Sequence, residues 1–101
     1  MSVSVQEADF DAGAEIASLG VGDPGAGAVA SFVGLVRGEG EVDAMTLEHY
    51  AGMTEKALAE IVAQAQARWQ LRRVRVIHRV GRLLPGARIG FVGVSSAHRR
   101  E

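Results

Sequence analysis

A chain of 101 residues with 48% hydrophobic content is long enough for one domain around one core and leaves little to spare for a second. It contains no cysteine, which excludes disulfides, thiolate metal sites and cysteine nucleophiles, so any sulfur chemistry must use sulfur brought by another molecule. No apolar run approaches the roughly 20 residues of a membrane span, and Glu7, Asp9 and Asp11 replace the basic opening of a signal peptide, so a soluble cytoplasmic protein with no membrane contact is expected.

Val3 and Val5 suit a short strand, and residues 12–19 suit a short helix before the glycine-rich loop 20–27. Residues 27–37, Gly-Ala-Val-Ala-Ser-Phe-Val-Gly-Leu-Val-Arg, are rich in β-formers and small residues, as a mostly buried strand is. The turn-forming cluster 38–43 suits a hairpin loop, with residues 44–50 as the return strand paired to 27–37. Thr54 is a good N-cap, Met53 can staple onto Leu58, and Glu55 complements the helix dipole. Leu58, Ile61, Val62, Ala65 and Trp69 then recur at helical spacing, which predicts one long amphipathic helix that buries this stripe.

Beyond the helix, Val74, Val76, His78 and Val80 alternate with Arg73, Arg75, Ile77 and Arg79, the pattern of a strand with one buried face. Leu84-Pro85-Gly86 makes a turn, and residues 87–94 form a further strand. The order β-α-β-β-α-β-β over residues 1–101 is that of a single α+β domain with a mainly antiparallel sheet.

Net charge is −1, but residues 1–55 hold ten acids and one base, whereas residues 56–101 hold ten bases and two acids. Such a split suits either an anionic ligand at the C-terminal half or an attraction between the two halves. Arg37 is the lone base of the first half, at the end of an apolar strand, where it can reach into a cleft or simply solvate a strand end. His98, Arg99 and Arg100 follow a strand and the small polar pair Ser95-Ser96, where a chain commonly leaves a sheet to start a helix. Backbone N–H groups there, beside two guanidiniums and an imidazole, suit an anion pocket, and a basic terminus is the bland alternative.

Other chemistries are less well served. His49 and His78 fall on apolar strand faces, and three histidines without a His-Glu-x-x-His spacing make a poor metal site, so no metal and no cofactor are expected. Buried, hydrogen-bonded imidazoles explain both better. The arginines at 68, 72, 73, 75, 79, 82 and 88 invite a nucleic-acid reading, but the net acidity, the scarcity of stacking aromatics and the lack of a binding motif oppose it. The glycines at 34, 38 and 40 fit no phosphate-loop pattern.

Four blocks stand in order: Phe32-Val-Gly-Leu-Val-Arg37, Met45-Thr-Leu-Glu-His-Tyr-Ala-Gly-Met-Thr-Glu-Lys-Ala-Leu-Ala-Glu-Ile61, Val76-Ile-His-Arg-Val-Gly81 and Phe91-Val-Gly-Val-Ser-Ser-Ala-His-Arg99. Together they resemble the MoaE family, the large, catalytic subunits of molybdopterin synthase, from about Phe10 to Glu101. The resemblance implies an α/β hammerhead fold with a small additional β subdomain. It also implies an activity, the addition of two sulfurs to cyclic pyranopterin monophosphate (precursor Z) as a dithiolene. The sulfur donor implied is the C-terminal thiocarboxylate of a ubiquitin-like MoaD-type small subunit. The implied assembly is a heterotetramer with two large subunits dimerised at its centre.

In that family the residues matching Arg37, His98 and Arg99 line the pterin pocket, built at the dimer interface, and Arg100 is taken with them as substrate-binding. The family's catalytic lysines lie in a segment beyond Ala97-His98-Arg99, which places them past Glu101, whereas the single lysine here, Lys56, sits in the first turn of the predicted helix and matches none of them. The C-terminal, lysine-bearing part of the family fold is therefore expected to be missing from residues 1–101, and the catalytic residues stay unassigned. Two other classes remain open: a non-catalytic module that holds the small subunit or dimerises, and a nucleic-acid-binding domain.

Overall fold

The computed structural model describes residues 2–37, 45–47 and 53–98. Strand β1 (Ser2–Gln6) leads to helix α1 (Ala12–Ser18), then β2 (Ala28–Leu35), β3 (Met45–Leu47), helix α2 (Met53–Arg68), β4 (Leu71–Arg79), β5 (Gly81–Leu83) and β6 (Arg88–Ser96). Four strands form one sheet in the order β1-β4-β6-β2, while β3 and β5 form a separate two-stranded sheet. The β1·β4 pair is parallel, and β4·β6, β2·β6 and β3·β5 are antiparallel. This is the mixed, mainly antiparallel α+β architecture expected, with a small second sheet beside the main one.

Two helices cover opposite faces of the sheet, because alternate residues of each strand point to opposite sides. Asp11 caps α1 by accepting the Ala14 N–H at 3.1 Å. The turn after it delivers Leu19 into a cluster with Phe10, Ile77 and Phe91, where Phe91 is only 1% exposed. Phe10 and Phe91 meet edge to face with ring centroids 6.1 Å apart. Gly93 makes this approach possible, since a Cβ there would come within 2.7 Å of the Leu19 and Phe91 side chains. On the other face Val62 of α2 packs with Val74 and Val76, flanked by Val3, Leu58, Leu71 and Val94.

Several expectations are corrected. Among the described residues the expected pairing of 27–37 with 44–50 is not seen: β2 pairs with β6, and β3 pairs with β5. Nor is β2 mostly buried, for among the described residues it lies at the edge of the sheet with Val29, Phe32 and Leu35 exposed. A run of small and β-branched residues looks the same in a central strand and at an edge. The helix begins at Met53, so Thr54 lies inside its first turn and does not cap it.

The helical stripe is also narrower than predicted. Val62 is buried, Leu58 and Ala65 are half-buried, and Ile61 is 61% exposed at the rim of an apolar groove of about 150 Å³ between α2 and the sheet. Trp69 follows the helix and is exposed, with the Arg68 guanidinium 4.9 Å from its ring centroid. The β4 strand has two covered faces, since Ile77 is buried opposite Val74 and Val76. His78 there is half-buried, yet its Nδ1 has no hydrogen-bond partner among the described residues, contrary to the expected satisfied histidine. His49 lies outside the described residues.

The charge split is spent largely inside the fold. Asp23 accepts two hydrogen bonds from Arg72 at 2.7 and 2.8 Å, Glu15 meets Arg75 at 3.3 Å, and Asp9 meets Arg88 at 3.1 Å and Arg79 at 3.7 Å. Each pair joins an acid of the first half to a base of the second. Among the described residues no helix is long and apolar enough to cross a membrane.

Candidate functional site

Arg37 and His98 are set by the two ends of the β2·β6 pair. Beyond β2, the Val36 N–H donates to Ala87 O at 3.0 Å and Val36 O accepts from the Gly86 N–H at 2.9 Å, which ties the backbone before Arg37 to the turn preceding β6. At the far end of β6, Ser95 and Ser96 are buried. Ser95 Oγ accepts the Arg73 N–H at 3.1 Å, and the Ser96 hydroxyl donates to His98 O, so the backbone that carries the imidazole is held by the last strand residue. Both Arg37 and His98 are exposed, as groups that receive an anion from solvent must be.

Arg99, Arg100 and Glu101 lie outside the described residues. The single lysine of the sequence, Lys56, is on α2, so the catalytic lysines expected beyond Glu101 have no counterpart among the described residues.

The register decides how these residues relate. Leu35 is level with Arg88, and Ala28 is level with Ser96. Arg37 therefore lies past one end of an eight-residue strand and His98 past the other. At about 3.3 Å per residue that is a separation of at least about 23 Å along the strands. One chain does not bring the two predicted pocket residues together. A pocket made from both needs a second copy.

The arginines of β4 are occupied elsewhere. Arg73 Nη1 donates to Ser18 O at 2.7 Å and to Val21 O at 2.6 Å, and Arg75 Nη1 donates to Ser2 Oγ at 2.7 Å while its Nε donates to Glu15. An open cavity of about 500 Å³ runs beside Arg73 and Arg75, next to Ser2, Glu15 and Ser18. Its guanidiniums are already bound to protein oxygens, and Glu15 sits in its wall, so it suits tethering of α1 better than capture of an anion. The Asp23 carboxyl is held below its ordinary range by the Arg72 hydrogen bonds, and Arg72 is raised by the same contact. Asp9 is lowered by the Phe10 N–H and by Arg88. Among the described residues no three carboxylate, imidazole or thiol groups gather as metal ligands.

Ser96 and Gly27 were not singled out from sequence as site residues. The Ser96 hydroxyl fixes the path to His98, and Gly27 donates its N–H to Ser96 O at 2.7 Å with its Cα tight against the Ala97 carbonyl. The sequence signal was present in Ser95-Ser96 and in the last glycine of the 20–27 loop, but only the register shows that the two ends adjoin.

A mixed four-stranded sheet with one helix on each face and a small second sheet defines an α+β domain that carries Arg37 and His98 past opposite ends of one strand pair. Residues 5–101 match the MoaE family, described as MoaE protein, and the chain belongs to it. It is 59% identical over 104 aligned residues to a protein of Ralstonia nicotianae named molybdopterin synthase catalytic subunit, covering 99% of this chain and 58% of that relative. The chain thus spans little more than half the length of that protein.

Among solved structures, the molybdopterin cofactor biosynthesis protein E of Burkholderia multivorans superposes with a TM-score of 0.86 at 50% identity, covering 97% of this chain and 65% of the other. The fold is also shared, at 16% identity and a TM-score of 0.79, with a chain in the complex of subunits 1 and 2 of molybdopterin-converting factor from Helicobacter pylori, over 97% of this chain and 67% of that one.

Proposed function

We propose that this chain is the substrate-holding core of a molybdopterin synthase large subunit, acting in the cytoplasm in molybdenum cofactor biosynthesis. The observation that carries this reading is membership of the MoaE family over residues 5–101, with 59% identity to a protein named as the catalytic subunit. The reaction is transfer of sulfur from the C-terminal thiocarboxylate of a ubiquitin-like small subunit to cyclic pyranopterin monophosphate, twice, to form the dithiolene. A sequence without cysteine suits this, because the donor brings the sulfur.

The chain's own residues bind and orient. Arg37, carried on the tied end of β2, offers a fixed fork of donors to a phosphate, and His98 past the end of β6 offers a ring N–H, with the guanidiniums of Arg99 and Arg100 next in the sequence. A guanidinium stays protonated at any relevant pH, so these arginines cannot serve as nucleophile or base. A lysine can lose its proton when desolvated and then take either role. The amine chemistry is accordingly assigned to lysines of the family segment that follows the position of Glu101, not to Lys56 in the first turn of α2. The small subunit with its thiocarboxylate and a second large subunit are the proposed partners.

The test is calorimetric binding of cyclic pyranopterin monophosphate. Arg37→Ala and His98→Ala should each weaken it by about 10- to 100-fold, the value of one or two charge-assisted hydrogen bonds. Unchanged affinity in both variants would remove these residues from the pocket.

A further inference from the structure

Trp69 is the single tryptophan of the sequence, and it belongs to neither apolar cluster. The indole is 47% exposed just past the end of α2. Leu71, two residues on, is half-buried and makes the contact with the Val62 cluster in its place. A large ring left in solvent keeps its faces for something other than packing. The Arg68 guanidinium, in the last turn of α2, lies over one of those faces at 4.9 Å from the ring centroid. That contact steadies the indole and leaves its opposite face to a ligand.

The register brings this ring to the end of the sheet that leads to His98. Leu71 of β4 is the cross-strand partner of Ser96 of β6. Trp69 precedes Leu71 by two residues, and His98 follows Ser96 by two. Neither stretch splays away: the Leu71 N–H donates to Trp69 O at 2.9 Å, and the Ser96 hydroxyl donates to His98 O. The Cα atoms of Trp69 and His98 therefore each lie within about 7 Å of one strand pair. Arg72 and Arg73, next along β4, are committed to Asp23 and to the Ser18 and Val21 carbonyls. Arg68 and His98 both face solvent at this end. Arg68 also offsets the partial negative charge of the α2 C-terminus, which would otherwise oppose an anion there.

We infer that Trp69, steadied by Arg68, is a stacking platform for the flat ring of the ligand whose anionic group His98 receives, a heteroaromatic bicycle that carries a phosphate. The inference rests on the anion-binding reading of His98 given above and adds the residue that recognises the ring.

Phosphate capture alone does not distinguish one phosphorylated compound from another, because a charged donor meets the same oxygens in each. A ring face adds that choice. The pyrimidinone half of a pterin is planar, as a nucleobase is, and such rings stack on an aromatic side chain through their π-faces whatever groups their edges carry. With Arg68 on the far side, the indole sits between a cation and the ligand, with both of its faces covered. Ring and anion meet different side chains, so their contributions to binding separate.

Calorimetric titration of the 101-residue chain with cyclic pyranopterin monophosphate and with inorganic phosphate tells the two contacts apart. Trp69→Ala should weaken the pterin phosphate by about 5- to 100-fold, the worth of stacking one base-sized ring, and leave inorganic phosphate unchanged. Trp69→Phe keeps a ring and should recover most of the loss. The circular dichroism spectrum of both variants should stay native, since the side chain is exposed. Unchanged pterin phosphate affinity in Trp69→Ala overturns the platform, and the anion reading then stands if His98→Ala still weakens both ligands. Equal weakening of both ligands by Trp69→Ala also overturns it, because the indole would then shape the strand end without holding the ring. No binding of either ligand to the wild-type chain would remove the anion reading itself, and the platform with it.

Discussion

Replacing Phe91 with alanine probes the centre of the fold. The side chain is 1% exposed and meets Phe10 edge-on, with Leu19 and Ile77 completing its surroundings. Leu19 comes from the turn after α1, Phe10 from the segment before it, and Ile77 from β4, so the ring joins three separate parts of the chain. Truncation to alanine removes the transfer energy of the ring and leaves a cavity whose walls are held by the β4·β6 pairing, for a cost of about 3–5 kcal/mol. Against a total stability of about 5–15 kcal/mol for a small domain, that is a large fraction.

Urea unfolding followed by circular dichroism at fixed protein concentration measures it, and with a slope of about 1–3 kcal/mol per molar the midpoint should fall by about 1–5 M. The slope itself should not change. A loss below about 1 kcal/mol would mean that the Phe10, Leu19, Ile77 and Phe91 cluster is not the core that fixes α1 to the sheet.

Ile61→Ala should cost no more than about 0.5 kcal/mol, because the residue is largely exposed, whereas Val62→Ala should cost about 1.5 kcal/mol for its two buried methyls; equal losses in urea melts would reverse the assignment of the helix face. Asp9 and Asp23 have folded values held below the ordinary 3.8 by hydrogen bonds from the Phe10 N–H and Arg88 and from Arg72. A depressed carboxyl stabilises the fold above its unfolded value and loses that contribution as pH falls through the folded value, so stability should decline below about pH 4. An acid-unfolding profile left unchanged by combined Asp9→Asn and Asp23→Asn would count against these clasps.

Local signals read well where one residue's neighbours in sequence are its neighbours in space. The helix expected from Thr54 to Trp69 is observed over Met53–Arg68, and of the alternation Val74, Val76, His78 and Val80 all but Val80 falls inside Leu71–Arg79. Nonlocal pairing was not legible: a turn-forming cluster between two β-rich runs suggested a hairpin, yet β2 found its partner in β6, far along the chain. Strand β5 has three residues and no periodicity to detect. The apolar run of β2 gave no sign that it would be an edge, and a stripe at helical spacing is wider than the sheet beneath it, which leaves Ile61 at the rim.

The charge split was visible as composition, but which acid meets which arginine depends on how α1 and the loops around it lie against β4 and β6. For the candidate site the basic residues at strand ends were legible, and their placement at opposite ends was not, because that depends on register alone.

The most direct test of the proposed division between binding and chemistry is dithiolene formation from cyclic pyranopterin monophosphate and thiocarboxylated small subunit. Two proteins are compared: the 101-residue chain, and the same chain extended past Glu101 by the C-terminal segment of the Ralstonia relative. Product is expected from the extended protein and none from residues 1–101 alone, which should still bind the pterin phosphate. No product from the extended protein, or equal turnover by both, would contradict the placement of the catalytic lysines beyond Glu101.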